Sequence, residues 1–170
     1  TKLLEKALTH SSYSNEHGGE SYERLEYLGD AVLEIVCSEY LYSKTDLPEG
    51  EMSRLRSLYV CENALFEYSK ELNLKDYIYV GNSIEEANKT IIADVFEACM
   101  AVIYLENGLS TVKKIFKELI VPSNCTIFCS FWVCLKRSCS FFIKGRGIEK
   151  TFWDSDLGRF TFVVLVVVVV

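Results

Sequence analysis

The chain has 170 residues, with 18 Lys and Arg against 24 Asp and Glu, a formal charge of −6 and 49% hydrophobic residues. That length suits one domain with an appendage, and the negative balance excludes a broadly basic surface of the kind that binds phosphate backbones unaided. The seven cysteines have no paired Cys-x-x-Cys spacing, and the two histidines, His10 and His17, are not spaced as ligands, so structural zinc is not expected.

In chain order, residues 2–8 read as a short helix leading into a polar loop, where Ser11, Ser12, Ser14, Asn15, Gly18 and Gly19 break any period. His10 is expected to fix this turn by a hydrogen bond. A long helix follows over about residues 21–44 with Leu25, Leu28, Val32 and Ile35 as its apolar stripe, and Glu20 and Glu23 near its start suit the helix dipole. Residues 45–50 form a loop, because Pro48 biases Leu47 out of the helical region. Two helices are expected at about 51–60 and 62–72, with Leu55, Leu58, Leu65 and Tyr68 inward. Arg54, Arg56, Lys70 and Lys75 read either as phosphate-facing or as a solvated basic face. A short apolar piece at 77–80 precedes a long helix over about 84–106, stopped by Asn107-Gly108. A last helix at about 110–120 sets Val112, Ile115, Phe116 and Leu119 at core spacing. Cys37, Cys61 and Cys99 read as small core residues in a reducing compartment.

The character changes after Pro122. Cys125, Cys129, Cys134 and Cys139, the pairs Phe131-Trp132 and Phe141-Phe142, and a valine-rich run at 163–170 follow. That run is far short of the ~20 residues a spanning helix needs, and it reads as an aggregation-prone strand segment. Its composition fits translated non-coding sequence; the competing reading is a membrane-associated or disulfide-bearing appendage. Lys2-Leu3-Leu4-Glu5-Lys6 is charged and amphipathic, unlike a secretory leader. The expectation is an intracellular protein, nuclear or cytoplasmic, away from membranes.

The chemistry lies in two groups of acids. Glu23, Glu26 and Asp30 fall at i, i+3 and i+7, one line on a helix beside the apolar stripe. Such neighbours repel unless solvated, protonated or bridged by a cation. Asp94 and Glu97 form a second i, i+3 pair inside the apolar run 91–105, which holds no Lys or Arg. Acids in such a run need a partner, and a divalent cation shared with the first helix satisfies both sets; the bland reading of the first set is a solvated acidic face. Gly29 sits in a helix interior, where glycine costs about 1 kcal/mol relative to alanine. It therefore marks either a close approach of another backbone or of substrate, or a tight crossing inside the same subunit.

These residues resemble the ribonuclease III family, whose signature reads Glu-Arg-Leu-Glu-Phe-Leu-Gly-Asp with a later Ala-Asp-x-x-Glu-Ala. The first motif stands at 23–30 with Tyr27 in the aromatic place, and the second at 93–98. Ala7-Leu8-Thr9-His10-Ser11-Ser12-Tyr13 looks like the family's opening helix and turn, and Glu49-Gly50-Glu51-Met52-Ser53-Arg54-Leu55-Arg56 like its middle helix. The resemblance covers residues 1–120 and implies an all-α ribonuclease III-type endonuclease domain, in a minimal form without an attached double-stranded RNA-binding domain; residues 121–170 are left as an atypical tail. It implies magnesium, with manganese as substitute, held by Glu26, Asp30, Asp94 and Glu97, with Asp30 and Glu97 essential to catalysis and Glu23 an outer acid. Lys89 is a candidate to steady the scissile phosphate. The implied substrate is double-stranded RNA, cut to leave 5′-phosphates and short 3′ overhangs by a homodimer in which Tyr27 inserts into the partner. A separate double-stranded RNA-binding protein is a further expected partner.

Three rivals stand beside this reading. A carboxylate-bridged di-iron bundle needs a Glu three residues before a His, and neither His10 nor His17 has one. A non-catalytic dimerising or RNA-binding relative is expected to have lost acids that this chain keeps. The third is a non-functional product spoiled by its tail.

Overall fold

The described residues, 1–121, are helical and belong to one unit, Thr1–Asn124, of the computed structural model. The expectations for the tail beyond Pro122 lie outside the described residues. The helices are α1 Lys2–Ala7, α2 Ser11–His17, α3 Glu23–Lys44, α4 Glu49–Tyr59, α5 Glu62–Glu71, α6 Lys89–Asn107 and α7 Leu109–Ile115. A 3₁₀ turn, Leu74–Tyr77, follows α5, and a π-helical turn, Phe116–Ile120, closes the segment. Among the described residues extended pairing is limited to one isolated bridge, Thr9 with Tyr79.

The central element is α6. Ile91, Ile92, Val95, Phe96, Ala98, Met100, Ala101 and Val102 are all buried on it, so it is apolar nearly all round and must be surrounded. α3 packs against it most extensively, and α5, α7 and α1 cover its other sides. Tyr68 and Phe96 meet at a ring separation of 5.9 Å, tilted by 51°, an arrangement that aromatic quadrupoles favour. Burying a side chain such as Phe96 contributes about 1.5–3 kcal/mol from area alone.

Several boundaries and faces differ from the sequence expectation, each for a local reason. Residues 11–17 are a helix rather than a loop: the His10 side chain accepts from Ser12 N at 3.1 Å as its N-cap, and Gly18 ends it at φ +80°. α2 buries no residue, so it carries no apolar period to read. α6 starts at Lys89 rather than near Ile84, because the Asn88 side chain accepts from Ile91 N at 3.0 Å and caps the helix there. Ile35 is 53% exposed and Leu58 38% exposed, so neither is a core residue; Leu33, Val36 and Cys37 of α3 turn inward instead. Val112, Ile115, Phe116 and Leu119 are buried as their spacing predicts, although the last turns widen from α7 into the π turn.

The segments that lead into the two acid-bearing helices are joined to each other. His10 N donates to Tyr79 O at 3.0 Å and Tyr79 N to Leu8 O at 2.8 Å. Gly81 N donates to Ser12 Oγ at 2.9 Å, and Asn82 donates to Glu16 Oε2 through its backbone N at 3.0 Å and its Nδ2 at 2.9 Å. Five hydrogen bonds thus tie the approach to α3 to the approach to α6.

Candidate active site

α3 and α6 touch at Gly29. A Cβ built there would lie 1.9 Å from Glu97 O and 2.4 Å from its carbonyl carbon, so only glycine permits the crossing. Of the two sequence readings of Gly29, the tight crossing within one subunit is the one observed. The crossing positions the acids: Glu26 lies one turn before Gly29 and Asp30 just after it, while Glu97 is at the contact and Asp94 one turn earlier on α6. Glu26, Asp94 and Glu97 are half-buried; Glu23 and Asp30 are exposed.

Burial, followed by the charges of Asp30, Asp94 and Glu26, pushes Glu97 up to about 8. Glu26 is raised first by burial and then by Asp94, Glu23 and Asp30. Asp94 is raised by burial, against the lowering effect of a hydrogen bond from Tyr22. Tyr22 Oη donates to Asp94 Oδ2 at 3.2 Å, and burial with that neighbouring charge raises the phenol's own pKa. The acids therefore repel one another within a partly desolvated site.

The ion pairs among the described residues lie elsewhere. They join Lys6 to Glu20, Lys70 to Glu67, Lys75 to Glu86, Lys89 to Glu62 and Lys113 to Glu39. Lys89, read as a candidate for the scissile phosphate, is thus placed against Glu62 at 3.5 Å. Arg56 donates to Ser38 Oγ at 3.0 Å, Lys70 lies 4.5 Å from the Phe66 ring centroid, and Arg54 is exposed. A donor set of carboxylate oxygens with no ion-pair partner among the described residues fits a hard divalent cation, which takes oxygen ligands and offsets their repulsion. As the side chains stand, no three His, Cys, Asp or Glu among the described residues form a ready chelating group. Gripping an ion requires some of them to turn.

Two residues near the acids, Tyr22 and Glu62, were missed from sequence, and His10 was expected only to fix its turn. Tyr22 bonds Asp94, while Glu62 raises and His10 lowers the Asp94 pKa. The need of Asp94 for a partner was legible, since its helix offers none. That the partner is a phenol 72 positions away was not. His10 acts as expected of it: its Nδ1 caps α2 and lies 2.8 Å from Ser12 Oγ.

Known proteins match this arrangement. The ribonuclease-III-like family model matches residues 1–124. Ribonuclease 3 of Listeria innocua is 42% identical over 129 residues, covering 71% of this chain and 56% of that protein. Ribonuclease 3 of Bacillus cereus is 43% identical over 129 residues, covering 71% of this chain and 53% of that protein. The chain thus spans about half the length of these curated relatives. Among solved structures, the nuclease domain of ribonuclease III from Campylobacter jejuni, described as flexible in a region involved in dimer formation, superposes with a TM-score of 0.67 at 37% identity. That match covers 71% of this chain and 86% of the solved one. With its all-α fold and both acid motifs in place, the chain belongs to the ribonuclease-III-like family.

Proposed function

We propose that residues 1–120 are an endonuclease domain that hydrolyses phosphodiester bonds of double-stranded RNA with a divalent cation, leaving 5′-phosphates and short 3′ overhangs; residues 121–170 carry no assigned role. The observation that carries this reading is the α3–α6 crossing at Gly29 and Glu97, which gathers two acid sets that form no ion pair among the described residues.

Glu26, Asp30, Asp94 and Glu97 are the residues that would hold the cation, magnesium with manganese as substitute, and Glu23 stands at the edge of the group. When bound, a divalent cation supplies Lewis-acid stabilisation of the charge that develops on phosphate oxygens and favours an attacking water. Glu97 holds a proton at its carboxyl near neutral pH when no positive charge is near, and gives it up as the site is neutralised. In this reading Asp30, exposed beside the crossing, would orient water and so act with Glu97 in catalysis. An A-form duplex is read by its phosphates and 2′-hydroxyls rather than by base identity, so little sequence preference is expected. The net charge of −6 supports a division of labour in which a separate double-stranded RNA-binding protein delivers substrate.

A homodimer supplies one site per strand, and the α3 residues Tyr27, 82% exposed, Ile35 and Tyr42 form the face offered to a second copy. The setting proposed is intracellular, nuclear or cytoplasmic; no described helix is long and apolar enough to cross a membrane. The test is cleavage of long end-labelled double-stranded RNA with magnesium or with chelator, beside Glu97→Gln. Magnesium-dependent staggered cuts lost in the variant support the proposal. A folded dimer that binds RNA and never cuts it would instead support a non-catalytic relative.

A further inference from the structure

We propose that Tyr22 is a positioning residue for Asp94: its buried phenol holds one carboxylate oxygen and leaves the other for the cation, so that it sets metal affinity without touching metal. This rests on the metal-dependent reading above.

Tyr22 is 3% exposed, among Ala7, Leu25, Ile91 and Val95, with its ring 5.7 Å from that of His10. Its backbone is fastened on both sides. Tyr22 N donates to Thr9 O at 2.9 Å, and Tyr22 O accepts from Leu25 N at 2.7 Å and Glu26 N at 2.9 Å. These bonds join the Tyr22 main chain to the first turn of α3, and burial confines the ring. Its hydroxyl donates to Asp94 Oδ2 at 3.2 Å, which engages that oxygen and leaves Oδ1 open. One residue thus binds the main chain of Glu26 on α3 and the side chain of Asp94 on α6, joining the two acid sets. Outer partners of ligating carboxylates fix their orientation, and their loss typically costs 10–100-fold in metal affinity. A phenol that merely satisfies its own hydrogen bond has no such effect.

The test uses the full chain as wild type, Tyr22→Phe, Asp94→Asn and the double variant. Phenylalanine keeps the ring and removes only the hydroxyl. Two readouts are taken: the melting temperature in chelator and along Mg²⁺ and Mn²⁺ series, and isothermal Mn²⁺ titration of the folded protein well below that temperature. The expected result is a Kd for Mn²⁺ raised about 10-fold in Tyr22→Phe, with no further change when it is added to Asp94→Asn. In cleavage, half-maximal magnesium rises in parallel while the rate at saturating magnesium is regained. A lower melting temperature in chelator with an unchanged Mn²⁺ Kd makes Tyr22 purely structural and overturns the inference alone. A wild type that neither binds Mn²⁺ nor gains stability from either ion overturns the metal reading and the inference with it.

Discussion

Glu97 lies where the chain's packing and its chemistry compete. Its folded pKa stands at about 8, above the ordinary 4.5, so the folded state holds a proton that the unfolded state has released. Such a group favours folding below about pH 4.5, and that contribution is lost as pH rises toward 8. Glu26 and Asp94 are raised too and act in the same sense. In chelator, stability measured by urea unfolding should therefore fall between pH 5 and pH 8, as the carboxyl is forced to ionise. Glu97→Gln should flatten that slope and stabilise the metal-free protein at pH 8 by about 1–2 kcal/mol, less than the whole shift because the site is partly solvated. A slope unchanged in the variant would place the titration elsewhere. The sequence made Glu97 conspicuous through its apolar neighbours; the depth of its burial needed the crossing.

Whole helices were legible where periodicity was long, and their ends were not. α3 and α6 are read from apolar residues recurring over many turns, yet the start of α6 is set by a single capping bond at Asn88 rather than near Ile84. α2 escaped for the opposite reason: a polar helix of two turns lives on its caps and its bonds to residues 81 and 82, so nothing in its hydrophobicity announces it. Asn88→Ala should cost about 1 kcal/mol, seen as a lower urea midpoint at unchanged slope. Gly29 was legible as an anomaly and ambiguous as to cause. Because the atoms a Cβ would strike are backbone, Gly29→Ala should force α3 from α6, destabilise by about 3 kcal/mol or more and abolish cleavage. An alanine variant of wild-type stability would show that the helices have room to part.

At the scale of the molecule, the exposed side of α3 and the joined approaches to α3 and α6 have separate consequences. Tyr27→Arg removes an apolar contact from a face whose neighbours Ile35 and Tyr42 are also exposed. It should turn the proposed dimer into monomer in sedimentation equilibrium while leaving the helical signal intact, because the side chain is 82% exposed and adds little to the packing of the described residues. A variant that stays dimeric would move the interface elsewhere. The five bonds between residues 8–16 and 79–82 act inside each copy. They leave the loop at 45–48 as a seam: before it come Glu23, Glu26 and Asp30, after it Asp94 and Glu97. A chain cut at that seam yields two fragments, each apolar on the side that faces the other and each holding part of the acid set. On the proposed function neither fragment should cut RNA alone, and mixing them should restore cleavage through the stitched ends and the α3–α6 contact, so that activity would report their meeting.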